Sequence, residues 1–262
     1  MNKKHKRAIV IPDTHFPYQD DRAMDIVFQA IDRIKPDAFI SLGDLMENKM
    51  VSHWTWKKKK KPELTYLLPM VDEEIEEVNK EIDKIQKQLD KSNVKDRIVL
   101  SGNHDVWLDD FQASYEYLKG YSFKDACKFE ERGWEVIPHN QPFRYNDSKL
   151  VMIHGAFVNQ FHAKKHAQTY MCNILYGHTH DLQRHTITRY SEDGRQSPIQ
   201  ALSLGCLKDM SREVNTFCKS LINWSHAFAV VDFFPDKDFK IEVVEIINGK
   251  TTLWGHTIIG ES

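Results

Sequence analysis

The sequence predicts an α/β fold, and three features carry that reading. Short apolar runs of strand length recur through the first two-thirds of the chain, helical periodicity separates the early ones, and a polar motif follows each run almost at once. Runs that are apolar throughout suit strands buried on both faces. A motif just beyond each strand suits an open α/β sheet, whose ligands gather at the carboxyl ends of neighbouring strands.

Residues 8–11 form the first expected strand. A crossover helix follows at 23–34, with Met24, Val27, Phe28 and Ile31 on one face and Pro36 just beyond its end. Residues 38–42 make the second strand. Val71, Ile75, Val78, Ile82, Ile85 and Leu89 then alternate spacings of four and three, the stripe of a long helix. Pro69 is expected near its start and Asp72, Glu73 and Glu74 in its first turn, where the helix dipole favours negative charge. The stripe suits a dimer seam or a crossover helix laid on the sheet, and three heptads favour the crossover. Strands are expected again at 98–100, 150–153 and 173–176. Antiparallel signals follow: 186–190 and 199–204 flank Glu192-Asp193-Gly194, 228–233 faces 239–247, and Asn248-Gly249 offers a tight turn into 250–254.

With 262 residues and no internal repeat or Gly/Ser-rich linker, the chain reads as one domain over 1–262, with a helical insertion at roughly 49–96. A formal net charge of −2 gives no global basic excess, so any preference for nucleic acid must be local. Cys127, Cys172, Cys206 and Cys218 form no C-x-x-C pair and read as reduced thiols of a cytoplasmic protein. Residues 1–7 lead straight into a strand-like run, without the longer apolar stretch of a secretory signal. No run approaches the ~20 apolar residues of a membrane helix, so no membrane partner is expected.

The polar motifs are Asp13-Thr-His15, Gly43-Asp44, Gly102-Asn103-His104-Asp105, His154-Gly155 and Gly177-His178-Thr-His180. They supply carboxylate oxygens, one amide and imidazoles, the donor set that suits Mn, Fe, Zn or Ni rather than Ca or a thiolate site. In order and spelling they resemble the calcineurin-like metallophosphoesterase superfamily, whose signature runs D-x-H, G-D, G-N-H-[D/E], H and G-H-x-H. The resemblance covers roughly residues 8–182, and five blocks in the right order make it specific. The longer string Asp13-Thr-His15-Phe-Pro17-Tyr-Gln-Asp20 looks like the opening of phage- and bacteria-encoded members.

The resemblance implies a two-sheet sandwich flanked by helices, with the C-terminal antiparallel strands consistent with its second sheet. It also implies two divalent ions, with Mn the first choice and Fe, Zn or Ni the others. Asp13, His15 and His180 would hold one, Asn103, His154 and His178 the other, and Asp44 would bridge them. His178 and His180 would reach adjacent ions from one face of an extended segment. His104 would protonate the leaving oxygen or stabilise the transition state, with Asp105 orienting its ring. The implied activity is phosphoester hydrolysis, with a phosphodiester of nucleotide or nucleic-acid type as the leading substrate.

Protein phosphatases are a rival, but they usually follow Gly-Asp with Asp-Arg-Gly, whereas here Gly43-Asp44 continues Leu45-Met46-Glu47-Asn48. A phosphomonoesterase is a further alternative. A metal-binding scaffold is the non-enzymatic one, and no expected ligand is missing to favour it.

Residues 53–62 combine Trp54 and Trp56 with five consecutive lysines. They read as a solvated loop or as a cationic lip that guides a polyanion, with Trp54 stacking on a base and Lys57 beside it. His162 and His166, four apart, read first as solvated surface, with His162 the one to reach substrate phosphate.

Overall fold

Alternate side chains of the first strand enter different cores, and the architecture follows from that division. In the computed structural model, Ala8 and Val10 belong to one buried cluster and Ile9 and Ile11 to another. The structure describes residues 5–57, 59–115, 117–190, 193–211, 213–215 and 223–261. Lys58 of the lysine run, Glu192 of the expected turn and Cys218 lie outside them.

In chain order the first half comprises β1 (Lys6–Ile11), α1 (Asp21–Ile34), β2 (Ala38–Ser41), α2 (His53–Trp56), α3 (Leu64–Lys91), β3 (Asp96–Leu100), α4 (Asn103–Ala113), α5 (Phe123–Ala126) and β4 (Glu135–Ile137). The second half comprises β5 (Leu150–Ile153), α6 (His162–Tyr170), β6 (Asn173–Tyr176), β7 (Leu182–Tyr190), β8 (Gln196–Leu204), β9 (His226–Phe233), β10 (Phe239–Ile246), β11 (Lys250–Leu253) and β12 (His256–Ile259). The first large sheet has the order β10-β9-β1-β2-β3-β4 and the second β5-β6-β8-β7, while β11 and β12 form a two-stranded sheet of their own. β1 to β4 run parallel, as do β5, β6 and β8, while β7, β9 and β10 pair antiparallel with their neighbours. Val10, Ile40 and Leu100 from the first sheet meet Met152, Leu175 and Leu202 from the second in a shared core. On its other face the first sheet packs Ile9, Phe39 and Val99 against α1 and α3, and the second packs Val151, Ile174 and Tyr176 against Ala167 of α6. The fold is therefore an α/β two-sheet sandwich with helices on its outer faces.

Local chemistry explains the helix ends. Asp20 caps α1 by accepting from the Ala23 amide at 2.9 Å, so the helix starts two residues before the apolar stripe suggests. Lys35 ends it in the left-handed region and returns its amide to Ile31 O. α3 buries Val71, Val78, Ile82, Ile85 and Leu89 against the first sheet, which accounts for the stripe without a dimer seam.

Three expectations need correction. α3 begins at Leu64, so Pro69 lies inside it and Asp72 to Glu74 fall after the first turn. Glu74 instead accepts the amides of Lys49 at 3.0 Å and Met50 at 3.4 Å, so tertiary contact rather than the helix dipole explains it. The C-terminal strands do not all enter the second sheet: β9 and β10 extend the first one beside β1. Apolar strands look alike whichever sheet they join, and partners remote in sequence decide. The Asn248-Gly249 turn forms, with Ile247 and Lys250 exchanging hydrogen bonds of 2.8 and 3.1 Å, but β11 then pairs with β12.

Candidate metal centre

The carboxyl ends of β1, β2 and β3 meet those of β5 and β6, and the five motifs meet with them. Asp13 and His15 follow β1 in a loop clamped to the one after β2: the His15 amide donates to Asp44 O at 3.0 Å and the Phe16 amide to Leu45 O at 2.8 Å. β3 leads through Gly102 into α4, so Asn103 and His104 stand in its first turn. There the His104 amide donates to Asp44 Oδ1 at 2.8 Å, a helix N-terminus meeting a carboxylate. A Cβ on Gly102 would lie 2.2 Å from that same oxygen, and one on Gly177 would lie 2.2 Å from Asp13 Oδ2. Those two positions admit only glycine because acidic side chains occupy the space.

Ligand atoms of Asp13, His15 and His180 lie within 4.8 Å of one another, as do those of Asp44, His154 and His178. Asp44 Oδ2 faces both groups, 3.2 Å from His154 Nε2 and 3.9 Å from His15 Nε2. Asn103 Oδ1 is 3.0 Å from His154 Nε2, while His154 Nδ1 donates to Leu42 O at 3.0 Å. His104 also comes within 4.8 Å of His15 and Asp44.

Burial governs the charges. It pushes Asp13 up to about 8 and, with neighbouring positive groups, pulls His15 down to about 4, His178 to about 3 and His180 well below the usual range. Burial also opposes charge on His154, yet the Asp44 carboxylate prevails and raises it to about 9. Nε2 of His15 and of His180 point at each other across 2.9 Å, so at most one of them carries a proton. Two buried carboxyls beside three imidazoles held neutral form a donor set whose positive charge is carried by protons on Asp13 and His154, the place a cation would take. Divalent cations fit it.

Several placements differ from the sequence expectation. Asp105 does not orient the His104 ring. Buried at the third position of α4, it accepts the amides of Gly102 at 2.8 Å, Met46 at 3.0 Å and Leu45 at 3.4 Å, which ties α4 to the Asp44 loop. The His104 Nδ1–H instead donates to Glu47 O at 2.7 Å, and Trp107 packs on the ring with centroids 4.0 Å apart. Residues 177–180 are not extended, because His178 and His180 take φ of +72° and +63°; a kinked loop, not strand alternation, aims the two rings. His162 and His166 are buried, not solvated. His162 lines the cleft, but its Nδ1 meets Tyr176 Oη at 2.6 Å and its Nε2 meets Asp181 Oδ1 at 3.0 Å, so both ring nitrogens have partners within the protein.

Above the cluster opens a cleft of ≈ 1190 Å³. Trp54 stands on its rim, 66% exposed, with Lys57 Nζ 4.6 Å from its ring centroid. Trp56 instead donates its indole N–H to Met50 O at 2.8 Å. Val158 and Phe161 also line the cleft and are exposed. Sequence reasoning missed Glu47 and Lys208. Glu47 had a signal, three residues after Asp44; Lys208, outside every motif, had none.

Residues 6–257 match the family model of calcineurin-like phosphoesterases. The chain belongs to that family. Calcineurin-like phosphoesterases are metal-dependent hydrolases of phosphate esters, and this chain is one of them; the family's two divalent ions have candidate ligand clusters here. The Gene 54 protein of Mycobacterium phage L5 is 26% identical over 265 residues, covering 95% of this chain and 97% of that protein. The Gene 54 protein of Mycobacterium phage D29 is 24% identical over 266 residues, covering 96% and 98%. Among solved structures, Vps29 of Cryptosporidium parvum is similar with 13% identity, 98% and 100% coverage and a TM-score of 0.48. A single mutant of Entamoeba histolytica Vps29 follows at 11% identity, 97% and 99% coverage and a TM-score of 0.45. No helix among the described residues is long and apolar enough to cross a membrane.

Proposed function

We propose that this phosphoesterase hydrolyses a phosphodiester of nucleotide or nucleic-acid type in the cytoplasm. The observation that carries the substrate reading is an exposed Trp54 lining the same cleft as the buried ligand cluster, with Lys57 Nζ 4.6 Å from its ring centroid. An indole face stacks on any base, and a neighbouring ammonium attracts the phosphate backbone.

Asp13, His15 and His180 would hold one divalent ion, Asn103, His154 and His178 the second, and Asp44 both. Mn²⁺ is the first candidate because mixed oxygen and nitrogen sites accept it. Two such ions supply positive charge for the attacking and departing oxygens of an in-line displacement. His104 faces the cleft with its Nδ1–H committed to Glu47 O, so a second proton, taken up on Nε2, is the one handed to the leaving oxygen. Trp54 positions a base and Lys57 the adjoining phosphate, while His162 supports the cleft wall through Tyr176 and Asp181.

Activity of the Mn²⁺-loaded protein on aryl mono- and diesters, cyclic nucleotides, dinucleotides and single-stranded DNA tests this reading. The expected outcome is the highest kcat/KM on a nucleotide diester. A preference for monoesters or phosphopeptides would replace it.

A further inference from the structure

Lys208 is among the largest fully buried side chains of the protein, at 2% exposure, and it lines the floor of the cleft. Its Nζ lies 2.7 Å from Glu47 Oε2, and that oxygen lies 2.8 Å from Nδ1 of His15. Among the described residues His15 Nδ1 meets no well-aligned hydrogen-bond partner, and the Glu47 carboxylate, its ion-pair contact, is where its proton can go. A carboxylate only accepts; beside it, the neutral ring carries its proton on Nδ1 and leaves the Nε2 lone pair free. Nε2 is the atom that faces His180 at 2.9 Å and Asp44 at 3.9 Å.

Lys208 is itself held where it is needed. The neighbouring Leu207 amide donates to Asp13 O at 2.8 Å and Leu207 O accepts from the Asp20 amide at 2.8 Å. His226 Nε2 donates to Lys208 O at 2.8 Å. The segment after β8 is thus sewn to the loop that carries Asp13 and His15. A buried ion pair seldom adds stability over an apolar pair of similar volume, so its retention beside a ligand cluster asks for another reason.

We propose that Lys208 is a positioning residue of the metal centre: its ammonium holds the Glu47 carboxylate against His15 Nδ1, which fixes the tautomer that presents Nε2 to the metal. This rests on the reading of His15 as a ligand. Partners of this kind behind a ligating histidine typically contribute about 10- to 100-fold in metal affinity or activity.

The test uses full-length protein with Mn²⁺ as the probe, and selective ¹⁵N-histidine labelling to read the His15 tautomer in the metal-free state. Lys208→Met leaves the Glu47 charge buried and alone, so Lys208→Met/Glu47→Gln is made beside it as a variant without either charge. Both are expected to lose the pure Nδ1–H form of His15 and to bind the tighter Mn²⁺ about 10- to 100-fold more weakly. The double variant should lose no more than the worse of Lys208→Met and Glu47→Gln, because the two residues act as one unit. A folded double variant with wild-type Mn²⁺ affinity and an unchanged His15 tautomer overturns the inference, as does a tautomer unchanged while both ions weaken equally. His15→Ala separates the two readings: if it keeps both Mn²⁺ ions, the ligand assignment fails and the inference with it, whereas loss of one ion there leaves Lys208 to be judged on its own variants.

Discussion

Asp13, His15, Asp44, His154 and His180 at the floor of the cleft are at most 8% exposed, whereas Trp54, Val158 and Phe161 at its rim expose 64% or more. The floor is built from loops fastened to one another: the Asp44 loop alone meets the His15 loop, the amide of His104 and the carboxylate of Asp105. The rim side chains meet few such constraints. The difference separates two tasks. Buried, cross-linked groups hold charge at fixed positions, which the chemistry of phosphoryl transfer requires. Exposed aromatic and basic groups can meet substrates of different shape at little cost to the fold.

The sharpest way to break that division is Asp44→Asn. It removes a charge that faces both ligand groups, so activity should fall by more than the roughly 10²- to 10⁴-fold a general acid contributes. Elemental analysis should find both ions weakened. Two tightly held ions with normal turnover would take Asp44 out of the bridging role.

His104→Ala probes the boundary between floor and rim, since the ring is 21% exposed and touches both Glu47 and Trp107. Hydrolysis of an alkyl or nucleoside ester should slow by about 10²- to 10⁴-fold, with a much smaller effect on a p-nitrophenyl ester and unchanged metal content. Equal losses on both esters would indicate charge stabilisation instead of proton transfer.

A rim residue should behave differently. Trp54→Ala should raise KM for a nucleotide diester by about 5- to 150-fold, the range a lost base stack covers, and leave an aryl ester untouched. Replacing residues 57–61 with serine should flatten the salt dependence of oligonucleotide binding. Equal losses on aryl and nucleotide esters would show that rim and floor are not independent.

The smallest effect belongs to a histidine behind the floor. Burial pulls His166 down to about 4, with its Nε2 accepting the Ala156 amide at 3.0 Å and its ring stacked 4.0 Å from that of Tyr176. Between about 4 and its ordinary value of 6.5 the unfolded chain holds a proton there that the folded one does not. Its contribution to stability is therefore full above about 6.5 and is lost as pH falls toward 4. Thermal melts across that range should show Tm dropping in the wild type and less so in His166→Gln; parallel curves would remove His166 as the cause.

Sequence alone determined the donor set and the places where it collects. Each motif directly follows a strand that is apolar on both faces, and such strands must be buried with their carboxyl ends at a common edge. The stripe of α3 was equally legible, because a helix repeats at a fixed period whatever it packs against. What lay beyond the sequence depends on partners remote along the chain. Nothing in the composition of β9 and β10 names their sheet, and only pairing with β1 assigns them to the first one. Asp105 sits beside His104 in sequence but points back to the amides that begin α4, a direction fixed by helix geometry. Lys208 stands 161 positions from Glu47 and in no motif. A buried charge becomes visible only when the fold removes water from around it, and tertiary structure alone decides where that happens.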